Sequence, residues 1–438
     1  MPAPEPVDLR LDARWIVPVE PAGALPSHAL IVDGGRIVAL LPQADAEARY
    51  AARERLDFGS HALLPGLVNA HTHAAMTLFR GIADDLPLKV WLEGHIWPRE
   101  AQFVSPAFVA DGVRLAAAEM LRGGTTCCND MYFYPGAAGP AFVEVGMRAL
   151  LGLPVLDFPT PYAADPDGYL QAGLEARDAL KHEAKLAFSL APHAPYTVDD
   201  ATFERIVMYA RQLDLPIQTH IAETAHEVEE SRARHGQSPL ARLHQLGVTG
   251  ASFIAIHGVH FDAADIDLLA THGGHVVHCP ASNMKLASGV APVVALLARG
   301  IGVALGTDGA ASNNRLDVFG EMRLASLLAK VTTGDPAALP AFDMLRCATL
   351  GGARALGLDA QLGSLVPGKE ADVVAVDLGP LEATPCYDPV SHLVHVVGRE
   401  AVTDVWVGGE RIVADRTLTT ADEAAITARA RAWQERLQ

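Results

Sequence analysis

The chain has 438 residues and predicts an α/β protein: a closed (β/α)8 barrel of the TIM type with a small β-sandwich domain assembled from both termini. Three observations predict it. Residues 63–366 alternate short apolar runs with longer segments whose apolar residues recur every three or four positions, which is strand and helix in turn. Residues 1–62 and 367–438 instead carry strand-like runs broken by glycine turns. In the middle region, run after run ends in histidine or aspartate, at the place where such a barrel keeps its chemistry.

The two ends share one style. Ala29–Leu40 reads as two short strands joined at Gly34-Gly35, a hairpin signal. Ala371–Asp377 is a further strand, and Val402–Val413 is a second hairpin with Gly408-Gly409 at its turn. Chain termini often lie close together, so 1–62 plus 367–438 is expected as one domain and 63–366 as a domain inserted in it. A doubly wound open sheet is the rival for the middle, but no GxGxxG follows a strand, as a dinucleotide site would require. Thr420–Gln438 reads as an exposed terminal helix with Thr420 as its N-cap.

Composition narrows the function. Half the residues are apolar and a fifth charged, enough for a sizeable core. The net charge of −18 argues against nucleic acid, which rewards clustered Lys and Arg. No run of 18 apolar residues exists, so no membrane-spanning helix is expected. Met1–Arg10 lacks an apolar core, so no secretory signal is expected. Five cysteines at irregular spacing, two of them adjacent (Cys127 and Cys128) and none in a CxxC pair, fit a cytoplasmic protein with reduced thiols rather than a disulfide framework or a cysteine zinc site.

The strand ends carry the chemistry. His71 and His73 follow the turn Pro65-Gly66 on an extended segment, and side chains two residues apart on a strand share a face. Leu186–Leu190 leads to His193, Ile217–Thr219 ends in His220 with Glu223 three residues on, Phe253–Ile256 ends in His257, and Ile301–Leu305 leads to Asp308. One histidine at a strand end is ordinary core; five strands ending this way imply a shared site. His71, His73, His220 and Asp308 offer three nitrogens and an oxygen, a set that suits Zn²⁺ and also accommodates Fe²⁺. No lysine ends the Leu186–Leu190 run, Lys185 preceding it, so one metal per subunit is expected. A catalytic metal activates a water, and His257 and Glu223 stand where they can handle protons.

These residues, in this order, resemble the amidohydrolase superfamily. The flanking segments, among them Met76–Gly81, Asp130-Met131-Tyr132, Ala191–Tyr196, Thr219–Thr224, Cys279–Leu286 and Gly306–Asn314, resemble the branch that holds 5-methylthioadenosine/S-adenosylhomocysteine deaminases and triazine hydrolases. The resemblance covers nearly the whole chain and implies hydrolytic deamination at C6 of an adenine ring, with release of ammonia. It implies His71, His73, His220 and Asp308 as ligands, Asp308 as proton acceptor from water, Glu223 as the group that protonates the ring nitrogen, and His257 as the group that orients the attacking oxygen. It further implies Glu100 on the ribose hydroxyls, His193 on the substrate, and Trp91 and Ser312 lining the pocket. Alone, Glu100 reads as a solvated helix residue.

One departure bears on substrate. Members that take S-adenosylhomocysteine carry arginines after the Gly146–Leu151 segment, whereas Leu153 stands at one such position and no basic residue follows before Arg177. The expected substrate is therefore 5′-methylthioadenosine ahead of S-adenosylhomocysteine, with adenosine as a further one. The alternative is the same chemistry on another ring (guanine, cytosine or a triazine), with Glu100 dispensable. A non-catalytic metal scaffold is disfavoured by Glu223 and His257 beside the ligands. A small-molecule nucleoside is the expected partner, with no nucleic acid or membrane, and a homo-oligomer is expected by analogy with related barrels.

Overall fold

The computed structural model describes Ala3–Gln438. Four strands open the chain: β1 (Glu5–Ile16), β2 (Leu25–Asp33), β3 (Arg36–Pro42) and β4 (Tyr50–Pro65). Eight more follow, separated by helices: β5 (Leu67–Thr72), β6 (Thr125–Met131), β7 (Arg148–Val155), β8 (Leu186–Pro192), β9 (Ile217–Ile221), β10 (Phe253–His257), β11 (His275–His278) and β12 (Gly302–Leu305). They form one sheet in sequential order, parallel from β7 to β12, which is the barrel. The last four are β13 (Val373–Asp377), β14 (Val402–Val407), β15 (Glu410–Ala414) and β16 (Thr417–Leu418).

Strands from both termini join a second sheet, in the order β16-β15-β14-β13-β4-β1-β2-β3. Its hairpins turn at Gly34-Gly35 and Gly408-Gly409, all four glycines having positive φ, as a two-residue turn between twisted strands requires. Both faces of β2 are buried. Leu30 and Val32 join a cluster with Leu9, Leu63, Val373 and Trp406, while Ala29 and Ile31 join another with Val7, Leu41 and Tyr50.

β6 and β7 are not among the apolar runs that the sequence offers. The reason for β6, Thr-Thr-Cys-Cys-Asn-Asp-Met, is that it is wholly buried yet polar. Asn129 Nδ2 donates to Gln218 Oε1 at 2.8 Å, and Gln218 Nε2 donates to Ser189 Oγ at 2.7 Å. A polar layer that satisfies itself across β6, β8 and β9 replaces the apolar one.

The terminal helix runs Glu423–Leu437 and is capped by Asp422, whose carboxylate accepts from the amides of Ala424 and Ala425, not by Thr420. It is not free of the fold. Trp433 is 5 % exposed, donates from Nε1 to Asp111 at 3.0 Å and sits edge-on to Phe108. Two compact units result: Met1–Val68 with Glu119–Cys127 and Asp317–Ala421, and Asn69–Ala118 with Cys128–Leu316 and Asp422–Gln438. These units follow packing; the limits 1–62 plus 367–438 and 63–366 follow the change of strand grammar and stand as our proposed domain boundaries.

The seam between β12 and β5 is closed mostly by side chains. Asn69 Oδ1 accepts from Thr307 N–H at 2.9 Å and Asn69 Nδ2 donates to Thr307 Oγ1 at 2.8 Å. Asp308 N–H donates to the His71 carbonyl at 3.0 Å. A Cβ on Gly306 would lie 2.9 Å from the His71 backbone nitrogen, so only glycine lets the strands approach. Asn69→Ala leaves the buried Thr307 amide unpaired and is expected to destabilise the protein by about 2 kcal/mol, measured by urea unfolding.

Candidate active site

β5 delivers His71, the residue just after β5 is His73, β9 delivers His220, and the segment after β12 delivers Asp308. One ligand atom from each lies within 4.8 Å of every other. Asp308 Oδ1 is 3.3 Å from His71 Nε2 and 3.2 Å from His73 Nε2, and His220 Nε2 is 3.3 Å from His71 Nε2. Two ring orientations are set from behind. His73 Nδ1 faces the Met131 carbonyl at 2.5 Å, and His220 Nδ1 faces the His193 carbonyl at 2.8 Å. A carbonyl only accepts, so each Nδ1 carries the hydrogen and each Nε2 presents a lone pair inward. Converging lone pairs need a cation between them.

Electrostatics agree with this. Burial pushes His71 down to about 4 and His220 well below the usual range, the neutral form a ligand needs. Burial opposes charge on Asp308 and His73 also, but their mutual contact prevails, holding the carboxyl well below its ordinary range and raising the imidazole. The cluster therefore accommodates positive charge beside Asp308. The donor set fits a divalent metal ion such as Zn²⁺.

Asp308 has φ +60° and is pinned on every side. Its carbonyl accepts from Thr72 Oγ1 at 3.1 Å, Oδ1 accepts from the Gly309 amide at 2.8 Å, and Oδ2 accepts from Ser282 Oγ at 2.6 Å and Ser312 Oγ at 2.8 Å. Ser312 thus holds Asp308 and is not among the cavity-lining residues, contrary to the expected contact with substrate.

A cavity of about 260 Å³ opens on the cluster. Trp91, Glu100, Tyr132, His193, Glu223 and His257 line it together with His73, His220 and Asp308. Glu223 Oε2 is 3.8 Å from His257 Nε2, and His257 Nδ1 meets Asn283 Oδ1 at 2.9 Å. Burial pushes the Glu223 carboxyl up and His193 down to about 3. Glu100 is not the solvated residue that it reads as. Burial raises it to about 7, against the Tyr132 hydroxyl that donates to its Oε1 at 2.6 Å.

Leu153 also departs from expectation. It faces outward, its Cβ 3.1 Å from where a Cβ on Gly173 would stand in the helix Pro166–Leu180. The apolar wall exists but is made by Pro154, Leu156, Phe158, Pro159 and Pro161, and no Arg or Lys lines the cavity. A larger chamber of about 1230 Å³ adjoins, with Leu88, Leu92, Trp97, Phe158, Tyr196 and Leu286 common to both linings. Its Arg242 is occupied by Asp200 and by the carbonyls of Pro195 and Val198.

The sequence reading gives no role to Tyr132, Asp130 or Glu227. Asp130 Oδ1 accepts from the Ala74 amide at 2.8 Å, fixing the turn after His73. Glu227 accepts from the amides of Ala222 and Glu223. The Thr-x-x-Glu spacing of Thr224 and Glu227 is the signal that could have found it.

Comparison with known proteins places this geometry. The amidohydrolase family profile matches residues 62–412. The chain is 47% identical to the 5-methylthioadenosine/S-adenosylhomocysteine deaminase of Teredinibacter turnerae, over 98% of each chain. It is also 47% identical to the protein of that name from Saccharophagus degradans, over 99% of this chain and 97% of that one. An adenosine deaminase from Xanthomonas campestris, solved with bound zinc, superposes with a TM-score of 0.98 at 50% identity over 99% of both chains. An atrazine chlorohydrolase from Arthrobacter aurescens superposes at 0.89 with 25% identity, over 97% of this chain and 100% of that one. With the family profile spanning four-fifths of the sequence and such relatives matching from end to end, the chain belongs to the amidohydrolase family.

Proposed function

We propose that this amidohydrolase deaminates the adenine ring of 5′-methylthioadenosine: water adds its oxygen at C6 and ammonia leaves, giving 5′-methylthioinosine. The observation that carries the reading is Glu100, a half-buried residue whose carboxylate lines the same cavity as the His71–His73–His220–Asp308 cluster. A carboxylate accepts from both hydroxyls of a ribose cis-diol, and burying it without such a partner is costly. The relatives at 47% identity carry the name of such a deaminase.

His71, His73, His220 and Asp308 would hold one Zn²⁺ per subunit, which when bound supplies Lewis-acid activation of the attacking water. His257, fixed by Asn283, hydrogen-bonds and aims that water's oxygen. Asp308 accepts a proton from it. Glu223, whose carboxyl burial pushes up, delivers a proton to the ring nitrogen beside C6. Tyr132 steers Glu100, and Trp91 offers a face for the purine. The irregular spacing of the five cysteines, with no CxxC pair, supports a reducing, cytoplasmic setting; a homo-oligomer rests on analogy with related barrels.

The apolar end wall favours a methylthio group. A buried carboxylate against that wall lacks a cationic partner; Lys89, Arg234 and Arg242 line only the adjoining chamber, where Arg242 is already engaged. Catalytic efficiency on 5′-methylthioadenosine is expected to exceed that on S-adenosylhomocysteine by roughly tenfold or more, read as ammonia release by the zinc-loaded protein. Equal or better use of S-adenosylhomocysteine would sink the preference, and turnover of only a free base or triazine would sink the nucleoside reading.

Glu100 accepts ribose hydroxyls best when ionised, and burial sets it near 7. Below that pH it becomes protonated, so KM should rise as pH falls, by up to about tenfold per unit. Glu100→Gln should raise KM at neutral pH by about tenfold or more and remove the acid limb. Steady-state kinetics from pH 5.5 to 8.5 on both proteins, spanning about 1.5 units on either side of that value, would decide it; an unchanged KM in the variant refutes the role.

A further inference from the structure

β9 passes to the helix Ala225–His235 through Ala222, Glu223 and Thr224. Ala222 is fully buried and has φ +50°, a left-handed conformation that a residue with a Cβ rarely adopts. Both its backbone groups are engaged. The N–H donates to Glu227 Oε1 at 2.8 Å, and the carbonyl accepts from the His260 amide at 2.9 Å. The next amide, that of Glu223, donates to Glu227 Oε2 at 2.9 Å. One carboxylate grips two consecutive amides.

Half of this arrangement is a capping box. Thr224 Oγ1 accepts from the Glu227 amide at 3.3 Å, and in an ordinary box the glutamate returns to the amide of the cap residue itself. Here the carboxylate touches the Thr224 amide only weakly, the least of the influences on it, and reaches past it to the two residues before. A cap alone does not need that reach. What the reach fixes is the backbone from which the Glu223 side chain springs, and Glu223 Oε2 then stands 3.8 Å from His257 Nε2.

We propose that Glu227 is a positioning residue for proton transfer: its hold on the Ala222 and Glu223 amides maintains the left-handed turn that aims Glu223 at His257 and the cavity. The inference rests on the reading of Glu223 as the proton carrier. It gives Glu223 what Asn283 gives His257 through Nδ1 at 2.9 Å, a fixed orientation imposed by a neighbour.

A double-mutant cycle on 5′-methylthioadenosine tests it. Glu223→Gln should lower kcat by about a hundredfold or more. Glu227→Gln keeps the size but turns an amide N–H₂ toward a backbone N–H; it should lower kcat roughly tenfold while KM stays within about threefold and zinc content is unchanged. In the Glu223→Gln background the second substitution should change kcat by less than about twofold, because residues that act as one unit are not additive. Effects that multiply, a rise in KM without loss of kcat, or loss of zinc from the folded variant would overturn the proposal. Thermal unfolding reports whether Glu227→Gln folds; if it does not, the same cycle is read with Glu227→Asp, which retains the carboxylate and withdraws it by one methylene. Full activity in Glu223→Gln would overturn the reading of Glu223 itself, a failure distinct from additivity.

Discussion

The seam where the last barrel strand meets the first is the constraint on which the site depends. Asp308 supplies a backbone bond to His71 across it and, from the same residue, the carboxylate that faces His71 and His73. Closing the barrel and assembling the cluster are therefore one event. Residues near the seam serve that geometry: Asn69 stands in for missing ladder bonds, Gly306 permits the approach, and Ser282, Ser312 and Gly309 leave the Asp308 carboxylate one orientation. The left-handed backbone of Asp308 persists because its surroundings over-determine it.

The same logic governs the acids around the cluster. Asp130, Glu223 and Glu227 are buried and Glu100 half-buried in a protein of net charge −18. Burial raises each, Asp130 to about 6 and Glu227 to about 8, because desolvation disfavours the charged form. Three of them have fixed donors: the Ala74 amide for Asp130, the Tyr132 hydroxyl for Glu100, and two amides for Glu227. Glu223 differs: His257 is its ionic neighbour at 3.8 Å, and the Ser288 hydroxyl stands beside it.

The cluster that could hold a metal was legible in the sequence because metal ligation asks for particular residue types at strand ends, and strand ends show as the close of apolar runs. His71, His73, His220 and Asp308 fall together as the spacing required. The barrel's second strand was not legible, since its interior pairs Asn129 with Gln218 rather than burying apolar side chains. Nor was the direction of Leu153. A wholly buried strand such as β7 gives no alternation from which to tell cavity from helix face, and a position in a motif does not say which way its side chain points. Ser312 stands beside the cluster and donates to Asp308, and a hydroxyl that braces a carboxylate and one that touches substrate look alike in sequence.

Glu100 shows why periodicity alone fails here. It lies nine positions after Trp91, and nine residues of regular α-helix at about 100° each would set the two on opposite sides. The helix is not regular. Leu92–Ile96 forms a π-helical turn between Leu88–Trp91 and Trp97–Phe103, and a π turn takes up about one extra residue. That removes about 100° of rotation, and both side chains line one cavity. An indole and a carboxylate on one cavity thus come from one short segment. Gly94 at the centre of the turn adds no side chain to either wall. The feature that hides Glu100 from a helical reading of the sequence is the one that brings it to the site.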